Sequence, residues 1–554
     1  MYFILVRLIV DTMKTDKIVG CFAFINLVWL LVIAFGCSQS PDFAIAPEAL
    51  SPTERKSSAT STATMPALVY TNTPDNSPTP DSDMDLGNLA GERIVLWHTW
   101  GGQAGGVVAE IVEDWNKNNQ WGVSVEALYQ GNPDAINKKI LTQENKEDLT
   151  NLAVAYLHQA HAWDNIWSIE DLNTYVDDPH VGLSKEERAD FYSPLWSSGQ
   201  VGEKRLGLPV QQFGNVLFYN QSWAQELGFE ELPATPEEFK NQACAASNAI
   251  LLDESDENNG TGGWVISTDY AATLGWLYAY GAEFYLPGKS GEMDSIYEFN
   301  TPQTRDAFRF LRSLFDDGCA WLSAGENHEV EFATRSALFR SGDVSDIPFQ
   351  DQAFRDANNS DTWIVTAYPS PSGPDALDVY GPALVMMSST PEKQFASWLF
   401  LKWFTEPEQQ ARLIEAAGTL PIRESTLDLL NEYRDQNPHW SQAVSLLADA
   451  KSEPGTRSWQ TVRWALGDAT RQLFLYYFTV DDIPGLLEFL DKTAHELILG
   501  PENSGLLDTP TFTPSATLTP SMTPTPSITP TATRTASPTN TNTPEKGRLV
   551  TGTP

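Results

Sequence analysis

Short apolar runs alternate with amphipathic stretches through the first third of the body of the chain. Arg93–Trp97, RIVLW, reads as a buried strand. Gly106–Asn118 places Val108, Ile111, Val112 and Trp115 on one face at helical spacing. Gly122–Tyr129 is a second strand, Asp134–Asn145 a second helix, and Leu152–Tyr156, LAVAY, a third strand followed by the loop Leu157-His158-Gln159. This alternation predicts a mainly parallel sheet with helices on both faces. In such sheets ligands sit outside the carboxyl ends of the strands. Those ends are the loops His98–Gln103 and His158–Gln159.

The pattern changes at Gly207–Phe229, GLPVQQFGNVLFYNQSWAQELGF. Pro209 fixes φ and breaks any helix. Gln211 and Gln212 follow, then the β-branched and aromatic run Val216–Tyr219. Asn220 caps a short helix that Gly228 stops. A chain leaving one sheet and entering another would read this way, with amides at the turn. The stretch resembles the hinge crossing of extracellular solute-binding proteins of the sugar-binding, maltose-binding-protein-like class of ABC importers. Further along, Asp378–Met387, DVYGPALVMM, resembles the return strand into the first lobe. A helix pair over Thr390–Ala417, ended by Gly418 and followed by Leu420-Pro421-Ile422-Arg423, resembles the last crossing. The resemblance covers roughly residues 91 to 499.

The resemblance implies an α/β, two-lobed, periplasmic-binding-protein-like fold with a hinge of several crossing segments. It places residues 91–209 and 380–419 in the first lobe and residues 210–379 and 420–499 in the second. It also implies a ligand-facing set: Trp100, Gln103, His158, Gln159, Gln211, Gln212, Asp269, Trp276 and Tyr380. Trp100 and Trp276 are expected to stack on an apolar sugar face. Asp269 and the glutamines are expected to hydrogen-bond hydroxyls. The loop after Arg335–Arg340, Ser341-Gly342-Asp343, is expected to face the cleft. The implied solute is a neutral sugar or oligosaccharide, passed to the transmembrane subunits of a permease.

At 554 residues the chain exceeds one ordinary core. Its formal net charge of -38 argues against nucleic acid and disfavours an anionic ligand. Lys14 and Lys17 precede the apolar run Ile18–Phe35, and Gly36-Cys37 follows. This reads as an export signal. It resembles a lipoprotein signal in which Cys37 carries the lipid, and an uncleaved membrane anchor is the other reading. Either places the body outside the cytoplasmic membrane, anchored to its outer face. Met13 competes with Met1 as the start. Residues 38–90 and 500–554 are rich in Ser, Thr and Pro and read as flexible tethers. Of the 4 cysteines, Cys244 and Cys319 fall in the body. One pair in an exported protein points to a disulfide, with two separate buried thiols as the alternative.

Catalytic and metal signatures are weak. No HExxH, GxSxG or P-loop pattern occurs. Neither the 7 histidines, among them His98, His158 and His161, nor the acidic loop Asp253–Gly263 has metal-ligand spacing. No metal and no cofactor are expected. The alternatives to a receptor are a tethered carbohydrate-active enzyme and a glycan-adhesive module.

Overall fold

The computed structural model describes residues 89–503, apart from 147–148, 287–295, 326 and 372–376. The leader with Cys37, most of the 38–90 tether and the C-terminal tail lie outside the described residues. Two mixed sheets carry the architecture. The first runs in the order β2 (Ser124–Tyr129), β1 (Arg93–His98), β3 (Leu152–Ala155), β11 (Ala383–Met386) and β4 (Leu208–Pro209). The pairs β1–β2 and β1–β3 are parallel; β3–β11 and β11–β4 are antiparallel. The expectation of a mainly parallel sheet therefore holds for four of the five strands, because β4, antiparallel to β11, runs in the same direction as β3. Only β11, which returns from the other lobe, runs against them.

The helices follow from local chemistry. α1 (Gly102–Asn118) buries Val108, Ile111, Val112 and Trp115. It starts four residues before the expected Gly106. α2 (Pro133–Leu141) has Pro at its first position, and the side chain of Asn132 accepts from Ala135 N at 2.9 Å. α3 (Leu157–Trp167) takes up the stretch expected to be a loop. The Gln159 side chain reaches back to accept from Tyr156 N at 3.1 Å, so a capping box starts the helix directly after the strand.

The second sheet is built from β5 (Phe213–Asn220), β6 (Gly262–Val265), β7 (Ala320–Trp321), β8 (Ala337–Asp343), β9 (Trp363–Thr366), β10 (Leu377–Tyr380) and β12 (Ala450–Ser452). Their order is β7-β6-β8-β5-β10-β12, with β9 also paired to β5. α4 (Pro236–Leu251) carries Cys244, and Cys319 follows α6 (Pro302–Asp316); α5 is Tyr270–Ala279. The two cysteines form a disulfide with Cα atoms 4.3 Å apart. α9 (Trp459–Leu473) and α10 (Ile483–Asn503) pack with α5 and α6 into a core around Phe239, Trp264 and Trp276. No helix among the described residues is long and apolar enough to cross a membrane.

Three passages connect the sheets. β4 leads into β5 through Val210–Gln212. β10 leads into β11 through Gly381-Pro382, so the expected continuous strand Asp378–Met387 is broken where Pro lacks an N–H. Tyr380 therefore closes the second sheet, and the passage falls just after it. The third passage follows α7 (Pro391–Phe404) and α8 (Pro407–Ala417), which Gly418 ends at φ 67°. The three passages meet. Val210 N donates to Pro382 O at 3.3 Å and Leu420 N to Gln212 O at 2.8 Å. Apolar Leu208, Val210, Leu377, Leu420 and Ile422 fill the space around them.

Candidate functional site

The lobes come together over this hinge. Leu157 and His158, at the start of α3, face Glu453-Pro454-Gly455, which follows β12. Leu157 lies so close to Gly455 that a Cβ there would collide with it. Ser452 Oγ donates to Pro194 O at 2.8 Å. Between the lobes is a cavity of about 30 Å³, lined from the first lobe by Tyr156 and His158, from the passages by Gln212 and Tyr380, and from the second lobe by Glu453. That is space for a water or two, well below the ~300 Å³ lower end of ligand pockets. Admitting a sugar therefore requires the lobes to part.

Three of the expected residues converge on the cavity. His158 is 3% exposed, and its Nε2 has no partner. Burial and the charge of Arg463 push its pKa down to about 3, so it stays neutral. Gln212 is buried and donates from Nε2 to the carbonyls of Gln211 (2.9 Å) and Pro382 (3.3 Å). Tyr380 donates its hydroxyl to Asp343 Oδ2 at 2.8 Å. Gln211 is half-buried beside Gln212 in the same passage. Asp269 is exposed at the start of α5 and accepts from Ala271 N at 2.8 Å. Gln103 is exposed in the first turn of α1.

The others are structural, which corrects the sequence reading. Trp276 is 1% exposed and sits in the second lobe's core, its ring 5.1 Å from Phe239 and 5.0 Å from Tyr368. Helix α5 is buried on every face from Ala271 to Ala279, so the Trp has no route to the cleft. Trp100 is buried between His98 (5.6 Å) and Phe404 (5.5 Å). Gln159 is fully buried; besides its capping role it donates to Asp134 Oδ1 at 3.2 Å. Neither tryptophan is placed to stack on a solute. His98, His158 and His161 do not converge, and no trio of His, Cys, Asp or Glu among the described residues is placed to hold a metal ion.

Other residues supply the cleft's rings and charges. Tyr156 stacks on His158 at 5.5 Å. On the second lobe Tyr270 meets Trp464 edge-on at 5.7 Å, and Trp464 is 53% exposed. The Arg463 guanidinium lies 5.3 Å from both the Tyr270 and Trp464 rings and 6.0 Å from that of Tyr156 on the opposite lobe. Three carboxylates lie close by. Burial raises Asp343 to about 6, although Ser345 and Tyr380 hydrogen-bond to it. Burial raises Glu453 to about 7, against the hydrogen bond from Trp459. Asp378 is fully buried and raised well above the usual range by burial and then by Glu453. The strand-end rule that found His158 applies equally to Tyr156 two residues earlier. Glu453 follows a three-residue strand and Arg463 lies in the second turn of α9, and neither position carries a comparable signal.

A two-lobed α/β body strung on three crossings, with a polar and aromatic gap beside them, defines a hinged binding protein. The family model for bacterial extracellular solute-binding proteins matches residues 110–444, and the chain belongs to that family. A protein of Brucella abortus (strain 2308) described as a binding protein is 23% identical over 320 residues, covering 56% of this chain and 72% of that one. Two solved structures share the fold. The sugar-binding protein MalE from Xanthomonas citri is 20% identical, with a TM-score of 0.63 over 75% of this chain and 100% of that one. The cyclic alpha-maltosyl-1,6-maltose binding protein from Arthrobacter globiformis is 21% identical, with a TM-score of 0.60 over 74% and 99%. The chain is thus an extracytoplasmic solute-binding protein, and its family and fold are those of binding proteins.

Proposed function

We propose that the protein is the receptor of an ABC importer. It takes a sugar or short oligosaccharide between its lobes and presents it to the transmembrane subunits of a permease. Cys37, once lipidated, holds it to the outer face of the membrane, with the Ser/Thr/Pro stretch as a spacer. The observation that carries the reading is the pairing of ring faces with hydrogen-bonding groups across one hinge: Tyr156 and His158 from one lobe, Tyr270, Trp464, Arg463 and Glu453 from the other. Rings cover the apolar face of a pyranose while amides, carboxylates and guanidinium satisfy its hydroxyls. Because both lobes contribute, bound solute favours the closed form by its differential affinity. The fold-sharing structures named for maltose-type ligands support a sugar. A thermal-shift screen of the purified chain against mono- and oligosaccharides tests this, since a specific ligand raises the melting temperature by mass action. If no sugar shifts it, the reading fails. Release of hydrolysis products during the same incubation would point to the carbohydrate-active enzyme instead.

A further inference from the structure

The cleft holds more unsatisfied acceptors than one guanidinium balances. Glu453 lines the cavity. Its Oε2 accepts from Trp459 Nε1 at 2.6 Å, while its Oε1 is buried with no partner. His158 lines the same cavity from the opposite lobe, 3% exposed, with Nε2 also unpartnered. Behind Glu453 lies a row across three adjacent strands. Asn215 of β5 is in register with Asp343 of β8 on one side and Asp378 of β10 on the other. Residues in register project to one face of a sheet, so the two carboxylates share it. Both oxygens of Asp378 are buried without a partner. The charges that act on Asp378 are those of Glu453, Asp269 and Asp343, all of one sign. Arg463 acts on Glu453, but its guanidinium is turned to Tyr270, whose hydroxyl is 3.4 Å from Nη1.

A buried carboxylate without a partner is costly until a proton or a cation neutralises it. We propose that the solute carries a positively charged ammonium group, which lobe closure seats against Glu453 and His158 in the field of Asp343 and Asp378. This rests on the sugar-receptor reading and narrows it from a neutral sugar to an amino sugar. The unpartnered Glu453 Oε1 accepts one N–H of the ammonium. The faces of Tyr156 and Tyr270 add cation–π attraction. Neutral His158 does not repel the group. A metal ion is the poorer occupant, because no three ligating side chains converge among the described residues.

Calorimetry on the full chain at neutral pH tests the inference, with four probes: glucosamine disaccharide, its N-acetylated counterpart, maltotriose and choline. The amine disaccharide is expected to bind at least tenfold tighter than its N-acetylated form. Glu453→Gln is expected to abolish that preference while the urea midpoint shows the fold retained, and Asp343→Asn to reduce it. Affinity for the amine is expected to fall below pH 7 as Glu453, and then Asp343, take up protons. Asp269, Asp346, Asp378, Tyr156, Tyr270, Tyr278, Tyr380 and Arg463 are the other charged or titratable groups around them. Equal or tighter binding of N-acetylated disaccharide or maltotriose overturns the inference and leaves the sugar receptor standing. Binding of choline without any sugar keeps the cationic solute and removes the sugar. Binding of none of the four overturns both.

Discussion

Leu420 donates its backbone N–H to the carbonyl of Gln212 at 2.8 Å, tying the last passage between the lobes to the first. Gly381 of the second passage lies against Gln211 and Gln212 of the first. A Cβ at Gly381 would collide with the Gln211 carbonyl oxygen and stand 2.8 Å from Gln212 Nε2. Backbone atoms cannot retreat as a side chain does. Gly381→Ala is therefore expected to destabilise the chain by about 1–3 kcal/mol and to weaken solute binding by disturbing the hinge. Urea unfolding and calorimetry of the variant check both. An unchanged midpoint would show that the passages are free to slide apart.

Two tryptophans of the second lobe have opposite expected phenotypes. Trp276 is packed among Phe239, Trp264 and Tyr368. Trp276→Ala should cost about 3–5 kcal/mol of stability. Trp464 is 53% exposed beside Tyr270, so Trp464→Ala should leave the unfolding midpoint within experimental error. Its loss should instead weaken sugar binding by about 1 kcal/mol or more through lost ring contact. Paired denaturation and binding curves separate the two.

This contrast shows what the sequence makes legible. Helical periodicity announces α1, because burying one face imposes a repeat on the chain. An apolar run marks β1, and the Thr390-Pro391 start and Gly418 stop mark the pair α7–α8, whose first helix is buried on nearly every face. The passages at Pro209, Tyr380 and Leu420 were readable from proline and glycine, which constrain the backbone whatever surrounds them. Side-chain direction was not. Trp276 and Trp464 are the same residue type on neighbouring helices, and only the packing of α5 between the sheet and α9 decides which is buried. Gln159 looked like a cleft amide because a capping side chain and a ligand-binding one have the same composition. Glu453 follows β12 and Asp378 lies on the neighbouring β10, far apart in the chain, so no local pattern announces that they meet.

The disulfide should matter for stability more than for recognition. It joins α4 to the start of β7 across a sequence separation of 75 residues, among core residues of the second lobe away from the cleft. Closing a loop of that length restricts the unfolded chain by about 4 kcal/mol in the chain-entropy account. Replacing both cysteines by serine should lower stability by about 2–4 kcal/mol. Sugar affinity, measured well below the lowered midpoint, should be unchanged. Denaturation with and without reductant provides the comparison, and a reductant-insensitive midpoint in the parent would show two free thiols.

The buried carboxylates give stability an unusual dependence on pH. Glu453 is held near 7 by burial, whereas a glutamate in the unfolded chain titrates at about 4.3. Between those values the unfolded chain has released the proton and the folded chain still holds it. Glu453 therefore disfavours folding increasingly as pH rises through that window, by an amount on the order of 3 kcal/mol above it. Asp343, near 6, acts in the same direction over a narrower window. Glu453→Gln keeps an acceptor for Trp459 Nε1 but cannot ionise. Without solute, the variant should match its parent at pH 4.5 and exceed it by a few kcal/mol at pH 8. Urea unfolding of both proteins at the two pH values checks this. The same offset at both would mean that Glu453 is neutralised by a neighbour rather than by its proton.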